Sequence, residues 1–198
     1  MIRLWTILEA SAWQALQSQG SLIPMRKHVD PDYISWYKWM KSEMIQRIGP
    51  PKIPKQFPFW AWYQYSGATK PRPDLREARF ANRKHMGFRL EIQKPASQVL
   101  LSDFDIWEHL FHYAYIAADR SDRQLFETQM DQLPPQLEFK NYPESVKASM
   151  EASWSRVFDI RHQPFEFLPF EEKSIQATFW ELKLEDVVKV DKFAGRSL

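Results

Sequence analysis

Residues 174–182 have the sequence SIQATFWEL, a strand-like run in which polar side chains alternate with large apolar ones. The period-two alternation of a strand places one set on a common face, Gln176, Thr178 and Trp180. The opposite face carries Ile175, Ala177, Phe179 and Glu181. A buried polar side chain must form hydrogen bonds or line a cleft, because its desolvation is otherwise uncompensated. This pattern therefore predicts a late core strand that carries part of a functional site.

The composition predicts one domain with a large core. The chain of 198 residues is 44% hydrophobic and 15% aromatic, with nine Trp, so we expect a single domain over residues 1–198. The absence of Cys excludes disulfides, thiol nucleophiles and thiolate metal sites. No run reaches the about 18 apolar residues that a membrane helix needs, and the first residues lack the pattern of a secretory signal. We therefore expect a cytoplasmic protein that does not enter a membrane.

Apolar periodicity and turn residues predict the order of the secondary-structure elements. Strands are predicted at residues 2–7, 59–65, 88–92, 98–101, 174–182 and 186–190. Helices are predicted at residues 11–19, 30–48, 102–114, 122–133 and 143–157. We expect Ser11 and Ser102 to cap two of these helices and Gly20 to end the first. Strand 98–101 is expected to pair with strand 88–92 across the turn at 94–97.

The alternation of short strands and helices, without a repeated strand–helix–strand period, favours the α+β class. We predict a mixed, largely antiparallel sheet core with flanking helices. Segment 59–65 is nearly apolar on both faces, which predicts a central strand of that sheet.

Basic residues are concentrated in segment 70–84, although the net charge of the chain is only +2. The segment contains Lys70, Arg72, Arg76, Arg79, Arg83 and Lys84 against two acidic residues, Asp74 and Glu77. Such a loop suits the phosphates of a nucleic acid or a dinucleotide. The nucleic-acid hypothesis assigns the contact to Arg72, Arg76, Arg79 and Arg83. An ordinary solvated surface loop is the alternative.

Motifs for metal and covalent chemistry are weak in this chain. His109 and His112 lie three apart on a predicted helix, but no third ligand is near in sequence, so we predict no metal site. Asp103 and Asp105 stand at the start of the same helix, where capping explains both. The sequence contains neither a Gly-rich phosphate loop nor a Gly-x-Ser-x-Gly nucleophile motif.

Aromatic residues form a further candidate binding site. Five of them could stack on a nicotinamide, an adenine or an unpaired base, namely Trp36, Tyr37, Trp60, Trp62 and Trp180. Packing in the core is the alternative for each.

Four separated blocks of sequence resemble the uncharacterised bacterial family known as domain of unknown function 3841. The blocks are RLWT at 3–6, WAW at 60–62, VLLSDFD at 99–105 and QATFWE at 176–181. The resemblance runs nearly end to end and names no activity.

The order of elements is also similar to that of the ADP-ribosyltransferase fold. In nucleic-acid-modifying toxins of that class the late strand carries Gln-Ala-Glu, whose Glu is catalytic and lies near the NAD ribose. Here Thr178 stands at the position of that Glu. Glu181 would replace it if a bulge or strand end turned it toward the same cleft, and Glu91 is a second candidate. Arg3 matches the early-strand residue that holds the dinucleotide.

This resemblance implies an NAD-dependent ADP-ribosyltransferase that modifies a macromolecule, such as a nucleic acid, as a toxin or defence effector with a cognate antitoxin. Catalysis would involve Glu181, Gln176 and Thr178. The substrate NAD would be held by Arg3, Thr6, Trp36, Tyr37 and Trp60. The alternatives are a non-enzymatic module that binds nucleic acid or protein, and another enzyme on this fold, such as an RNA phosphate-processing transferase that uses NAD.

Overall fold

A computed structural model describes residues 1–77, 80, 86–161 and 168–194, apart from the side chain of Glu108. The strands are β1 (Ile2–Glu9), β2 (Ser21–Leu22), β3 (Phe59–Gln64), β4 (Met86–Lys94), β5 (Leu100–Asp103), β6 (Ile175–Phe179), β7 (Leu182–Lys183) and β8 (Val187–Ala194). The α-helices are α1 (Ala10–Gln19), α2 (Ile34–Ile48), α3 (Phe104–Phe111), α4 (Arg120–Met130) and α5 (Glu144–Ser153). Short 3-10 helices include Pro31–Tyr33 before α2 and Trp154–Phe158 after α5.

Six strands form one sheet in the order β5-β6-β3-β1-β4-β8, and all their pairings are antiparallel. Strands β2 and β7 form a separate antiparallel pair. The predicted α+β class, with a largely antiparallel sheet and flanking helices, is confirmed. The predicted central position of segment 59–65 is also confirmed, because β3 lies between β6 and β1.

The two faces of the sheet pack against different helices. One face, which we call the α1 face, carries the apolar side chains of alternate strand residues that pack against Leu16 of α1, among them Leu4, Leu8, Phe59, Leu90, Ala177 and Phe179. The other, the α2 face, supports a cluster that includes Met40 and Met44 of α2, Trp107 of α3 and Trp154. Two apolar faces require two covering layers, because each strand presents successive side chains to opposite sides.

Strand β6 shows the predicted division of faces. Ala177 and Phe179 are fully buried in the cluster of the α1 face. Thr178, between them, is fully buried on the α2 face, where its hydroxyl donates to the Leu100 carbonyl (3.3 Å) and lies 3.6 Å from the sulfur of Met40. A hydroxyl buried at this depth is tolerated because it has these partners.

The expected hairpin between strands 88–92 and 98–101 is wrong. Strand β5 pairs with β6, and Ala96–Gln98 forms a 3-10 turn rather than a tight hairpin turn. Both edges of β4 are already occupied by β1 and β8 in long antiparallel ladders, so no edge remains for β5.

Two predicted helix caps are also corrected. Helix α1 begins at Ala10, with Glu9 at the N-cap and no side-chain cap, rather than at Ser11. At the start of α3 the cap is Asp103, whose Oδ1 accepts from the Asp105 N–H (3.0 Å), while Ser102 accepts from the Trp107 indole. Gly20 ends α1 as predicted, at φ +76°.

A buried ion pair connects β5 to the segment before β6. Lys173 Nζ lies 2.7 Å from Asp103 Oδ2, and both side chains are almost fully buried. Gln64 reinforces this junction, since its amide donates to the carbonyls of Phe170 and Lys173, both at 2.7 Å. Charges this deep require a partner, so the pair fixes the start of β6 against the end of β5.

None of the described helices is long and apolar enough to cross a lipid bilayer.

Candidate functional site

A cleft of about 300 Å³ opens on the α2 face of the sheet, between α2 and α3 and above β3 and β6. We call it the aromatic cleft. It is lined by Tyr33, Trp36, Tyr37, Trp60, Phe104, Trp107, Phe111 and Gln176. Seven of these eight residues are aromatic, so its walls are almost continuous ring surface.

Local sequence explains how each element supplies its share of the walls. Asp30 accepts a hydrogen bond from the Asp32 N–H (3.0 Å), which starts the 3-10 turn that leads into α2 and places Tyr33 beside the first turn of that helix. In α3, Phe104, Trp107 and Phe111 recur at three- and four-residue spacing and therefore share one helix face.

Edge-to-face ring contacts hold these walls in place. Trp60 is 5.6 Å from Tyr37 and 5.7 Å from Trp107 between ring centroids, while Trp36 is 5.5 Å from Phe111. Such pairs stabilise by about 0.5–1.5 kcal/mol beyond their buried area, so the cleft is pre-organised.

The rim of the cleft is exposed aromatic surface. Tyr33 is 50% exposed, Phe104 38% and Phe111 39%. Contiguous apolar surface of this kind is typical of interaction sites, because water contact with it is unfavourable.

Polar groups without partners lie among these rings. The Trp60 Nε1–H is buried and has no hydrogen-bond acceptor among the described residues. On β6, the strand that pairs with β3, the Gln176 side chain lines the cleft. It forms no hydrogen bond with any residue that the structure describes. Burial raises the pKa of Tyr37, and the nearby Trp60 indole opposes the shift, although no hydrogen bond of normal geometry joins them. The surrounding rings close off the Trp60 N–H, so the polar side chains that line the cleft for a ligand are the Gln176 amide and the neutral Tyr37 phenol.

Four of the residues predicted from the sequence meet in this cleft, namely Trp36, Tyr37, Trp60 and Gln176. Thr6 and Thr178 lie buried next to Trp60. The Thr6 hydroxyl donates to the Trp60 carbonyl (3.1 Å), and Thr178 is opposite Trp60 in the β3–β6 ladder. These two residues position the strand that supports the cleft.

Glu181 lies just beyond β6, in a separate cavity of about 210 Å³ that shares no lining residue with the aromatic cleft. Its Oε2 is 3.1 Å from Lys52 Nζ. Partial burial alone would raise the pKa of Glu181, but hydrogen bonds from Lys52 and Ser21 and the charges of Lys52 and Lys183 outweigh it, so the pKa is lowered. The carboxylate is therefore ionised at neutral pH.

Arg3 lines neither of these cavities. Its Nε is 3.1 Å from Glu91 Oε1, and its side chain is 59% exposed. Strands β1 and β6 share one sheet with β3 between them, but the structure does not bring Arg3 and Glu181 into one cleft.

The basic segment contributes a third cavity, of about 510 Å³, on the loop after β3. It is lined by Thr69, Lys70, Pro71, Arg72, Pro73, Asp74, Arg76 and Arg89. Arg76 pairs with Asp74, and Arg89 pairs with Asp191 (2.6 Å) while donating to the Pro73 carbonyl (2.6 Å). Arg79 and Arg83 lie outside the described residues.

No group of three or more His, Asp or Glu side chains in the described ranges is arranged to hold a metal ion.

Sequence reasoning missed Tyr33, Phe104, Trp107 and Phe111 as site residues. The spacing of Trp107 and Phe111 in the predicted helix 102–114 is typical of a buried helix face, but Phe111 is more than one-third exposed at the rim of the cleft. Periodicity identifies the face of a helix; it does not show whether that face is completely covered.

The fold and site define an α+β protein with an aromatic cleft on one face of an antiparallel sheet. Comparison with known protein families matches residues 3–188 to the family described as Domain of unknown function (DUF3841). The chain belongs to this family. Comparisons with curated proteins and with solved structures found no match.

Proposed function

We propose that this protein binds a nucleotide-type ligand by its heteroaromatic base, which enters the aromatic cleft. One observation carries the proposal: the Gln176 amide lines the cleft without a hydrogen-bond partner among the described residues, within walls made of aromatic rings. A base has π faces for those walls and a hydrogen-bonding edge for that amide. Stacking of a base on an aromatic side chain contributes about 1–3 kcal/mol.

The polar groups favour a base over a purely apolar occupant. An apolar ligand would take water away from the Gln176 amide without replacing its hydrogen bonds, which costs about 1–3 kcal/mol. A base avoids this cost, because Gln176 can both donate to a base edge and accept from it.

Base binding requires fewer groups than catalysis does. No residue that lines the aromatic cleft is a carboxylate, so the cleft by itself lacks the anionic group that an oxocarbenium-like ribose requires. Base binding is therefore the function that the geometry supports best.

Calorimetric titration with uncharged nucleosides tests the proposal. Gln176→Leu removes the amide at similar volume and should weaken binding of the best nucleoside about fivefold, the value of one hydrogen bond of about 1 kcal/mol. Trp60→Phe keeps a ring but reduces the surface on which a base stacks, so it should also weaken binding, by less than the about 1–3 kcal/mol that a whole ring contributes. Trp13→Phe, which replaces a ring stacked on Phe88 at the α1 face, is the matched control. Absence of nucleoside binding in the wild-type protein would refute base recognition.

ADP-ribosyl transfer from NAD to a macromolecule is the second candidate. The observation that favours it is the convergence of Trp36, Tyr37 and Trp60 with Gln176 in one cleft, since the resemblance to transferases assigns these residues to NAD and catalysis. Nicotinamide would occupy the same cleft as a base. The carboxylate of this mechanism, Glu181, lies in the neighbouring cavity, so the ribose would have to extend from one to the other. Only this candidate predicts release of nicotinamide from NAD.

A further inference from the structure

The aromatic surface continues beyond the cleft along the α2 face of the sheet. Phe104, at the rim, is 5.1 Å from Trp62, and Trp62 is 4.9 Å from Tyr65 between ring centroids. Trp62 is opposite Gln176 in the β3–β6 ladder and is partly exposed. A second stacking platform therefore adjoins the cleft on the side that leads to the basic loop.

The loop that follows Tyr65 is held in a defined conformation. Tyr65 N–H donates to the Pro71 carbonyl (2.9 Å), Ser66 N–H to that of Lys70 (3.1 Å), and Ala68 N–H to that of Glu171 (2.7 Å). The Tyr65 hydroxyl also bonds to Glu77 Oε2 (2.7 Å). These bonds fix the backbone that presents the basic side chains.

Lys70 and Arg72 are the available cations in the described part of this loop. Both are exposed, and neither forms an ion pair with a carboxylate in the part of the chain that the structure describes. Four cations and one carboxylate line the loop cavity, and Asp191 offsets Arg89 from outside it. The cavity keeps an excess of positive charge, which attracts phosphates.

We infer that the natural ligand is a single-stranded nucleic acid, which places one base in the aromatic cleft, stacks its neighbour on Trp62, and brings its backbone phosphates to Lys70 and Arg72. This inference rests on the proposed base-binding function and adds the polymer to it. A basic groove with aromatic platforms is the usual design for binding single strands. A duplex does not fit, because its bases are paired and stacked within the helix and cannot enter a cleft without unstacking.

Fluorescence anisotropy with a labelled single-stranded 12-mer tests the inference, alongside calorimetry with the uncharged nucleoside. Lys70→Ala/Arg72→Ala should weaken oligonucleotide binding by roughly tenfold at low salt and reduce the slope of log K against log salt by about 1.4, which is about 0.7 for each lost phosphate contact on a single strand. Nucleoside affinity should not change, because the cleft is intact. Lys27→Ala/Lys192→Ala removes the same charge from exposed positions that line neither site, and it should leave the salt slope unchanged.

The outcomes separate this inference from the function on which it rests. If the wild-type protein binds nucleosides but holds the 12-mer no more tightly and without salt dependence, the polymer inference is overturned and base recognition stands. Equal affinity for duplex and single strand would also overturn the inference. If the wild-type protein binds no nucleoside, base recognition itself fails.

Discussion

At the scale of single residues, Glu181 is the side chain whose chemistry separates an enzyme from a binding protein. Its lowered pKa keeps it charged at neutral pH, and Lys52 orients it at 3.1 Å. If NAD is cleaved here, Glu181→Gln keeps the shape but removes the charge that stabilises an oxocarbenium-like ribose. Nicotinamide release should then fall on the order of a hundredfold, with folding retained.

Glu91→Gln is the comparison for that experiment, because Glu91 is the other carboxylate implied by the transferase resemblance and pairs with Arg3. If only the Glu91 variant loses nicotinamide release, the catalytic carboxylate is Glu91, and the reaction takes place beside Arg3. If wild-type protein, offered NAD together with nucleic acid and protein acceptors, yields no nicotinamide in a chromatographic assay, transfer is excluded and binding remains.

At the scale of elements, the backbone conformation of the turn after β3 requires a glycine at position 67. Gly67 has φ +78°, and a Cβ there would lie 2.7 Å from the Glu171 carbonyl oxygen, which the turn approaches through the Ala68 N–H. Gly67→Ala should therefore destabilise the protein for two reasons. A side chain in the left-handed backbone conformation costs about 1–2 kcal/mol, and overpacking against Glu171 costs about 1–3 kcal/mol.

Gly20→Ala is the matched variant for the turn. Gly20 has nearly the same φ, +76°, but a Cβ there would meet nothing within 4 Å. Gly20→Ala should therefore lose stability through backbone strain alone. Urea unfolding should show a larger loss of unfolding free energy for Gly67→Ala than for Gly20→Ala. Equal losses would mean that the backbone around Glu171 moves away at little cost, and that the basic loop is less rigid than its hydrogen bonds indicate.

At the scale of the whole molecule, the edge strand β8 is attached by charge as well as by its ladder, and this makes stability depend on pH. Hydrogen bonding and charge from Arg89 lower the pKa of Asp191 below its ordinary value of 3.8. A carboxylate with a lowered pKa stabilises the fold above its unfolded pKa, and that contribution is lost as pH falls through the folded pKa. The contribution is therefore complete at neutral pH and declines below about pH 3.8.

Asp191→Asn should therefore be less stable than wild type at pH 6, by about 1 kcal/mol for a partly exposed pair, and the difference should shrink below pH 3.8. Urea unfolding at pH 6 and pH 3 measures both values. Glu127→Gln removes the partner of Arg123 in an exposed helical pair and should change little at either pH. A difference for Asp191→Asn that stays constant with pH would show that packing, rather than charge, attaches β8.

The alternation of apolar side chains was sufficient to predict most strands and the faces of β6. It placed Ile175, Ala177 and Phe179 on one face of the strand and Gln176 and Thr178 on the other, because side-chain direction in a strand is a local property. It also located Gly20 as a helix end and 59–65 as a central strand. Four of the eight residues that line the aromatic cleft were also predicted from the sequence as site residues, namely Trp36, Tyr37, Trp60 and Gln176.

Local pattern thus determined which residues are extended, which are helical and which side of each faces a core. Only the tertiary structure decided which edges pair, because β5 and β4 are neighbours in sequence but β1 and β8 compete for the edges of β4 and leave β5 to β6. Tertiary packing also gathered rings from α2, α3, β3 and the turn before α2 around Gln176, and it left Arg3 outside the lining of that cleft and of the Glu181 cavity. Contacts between distant segments depend on the free energy of the whole arrangement, which no stretch of this chain encodes by itself.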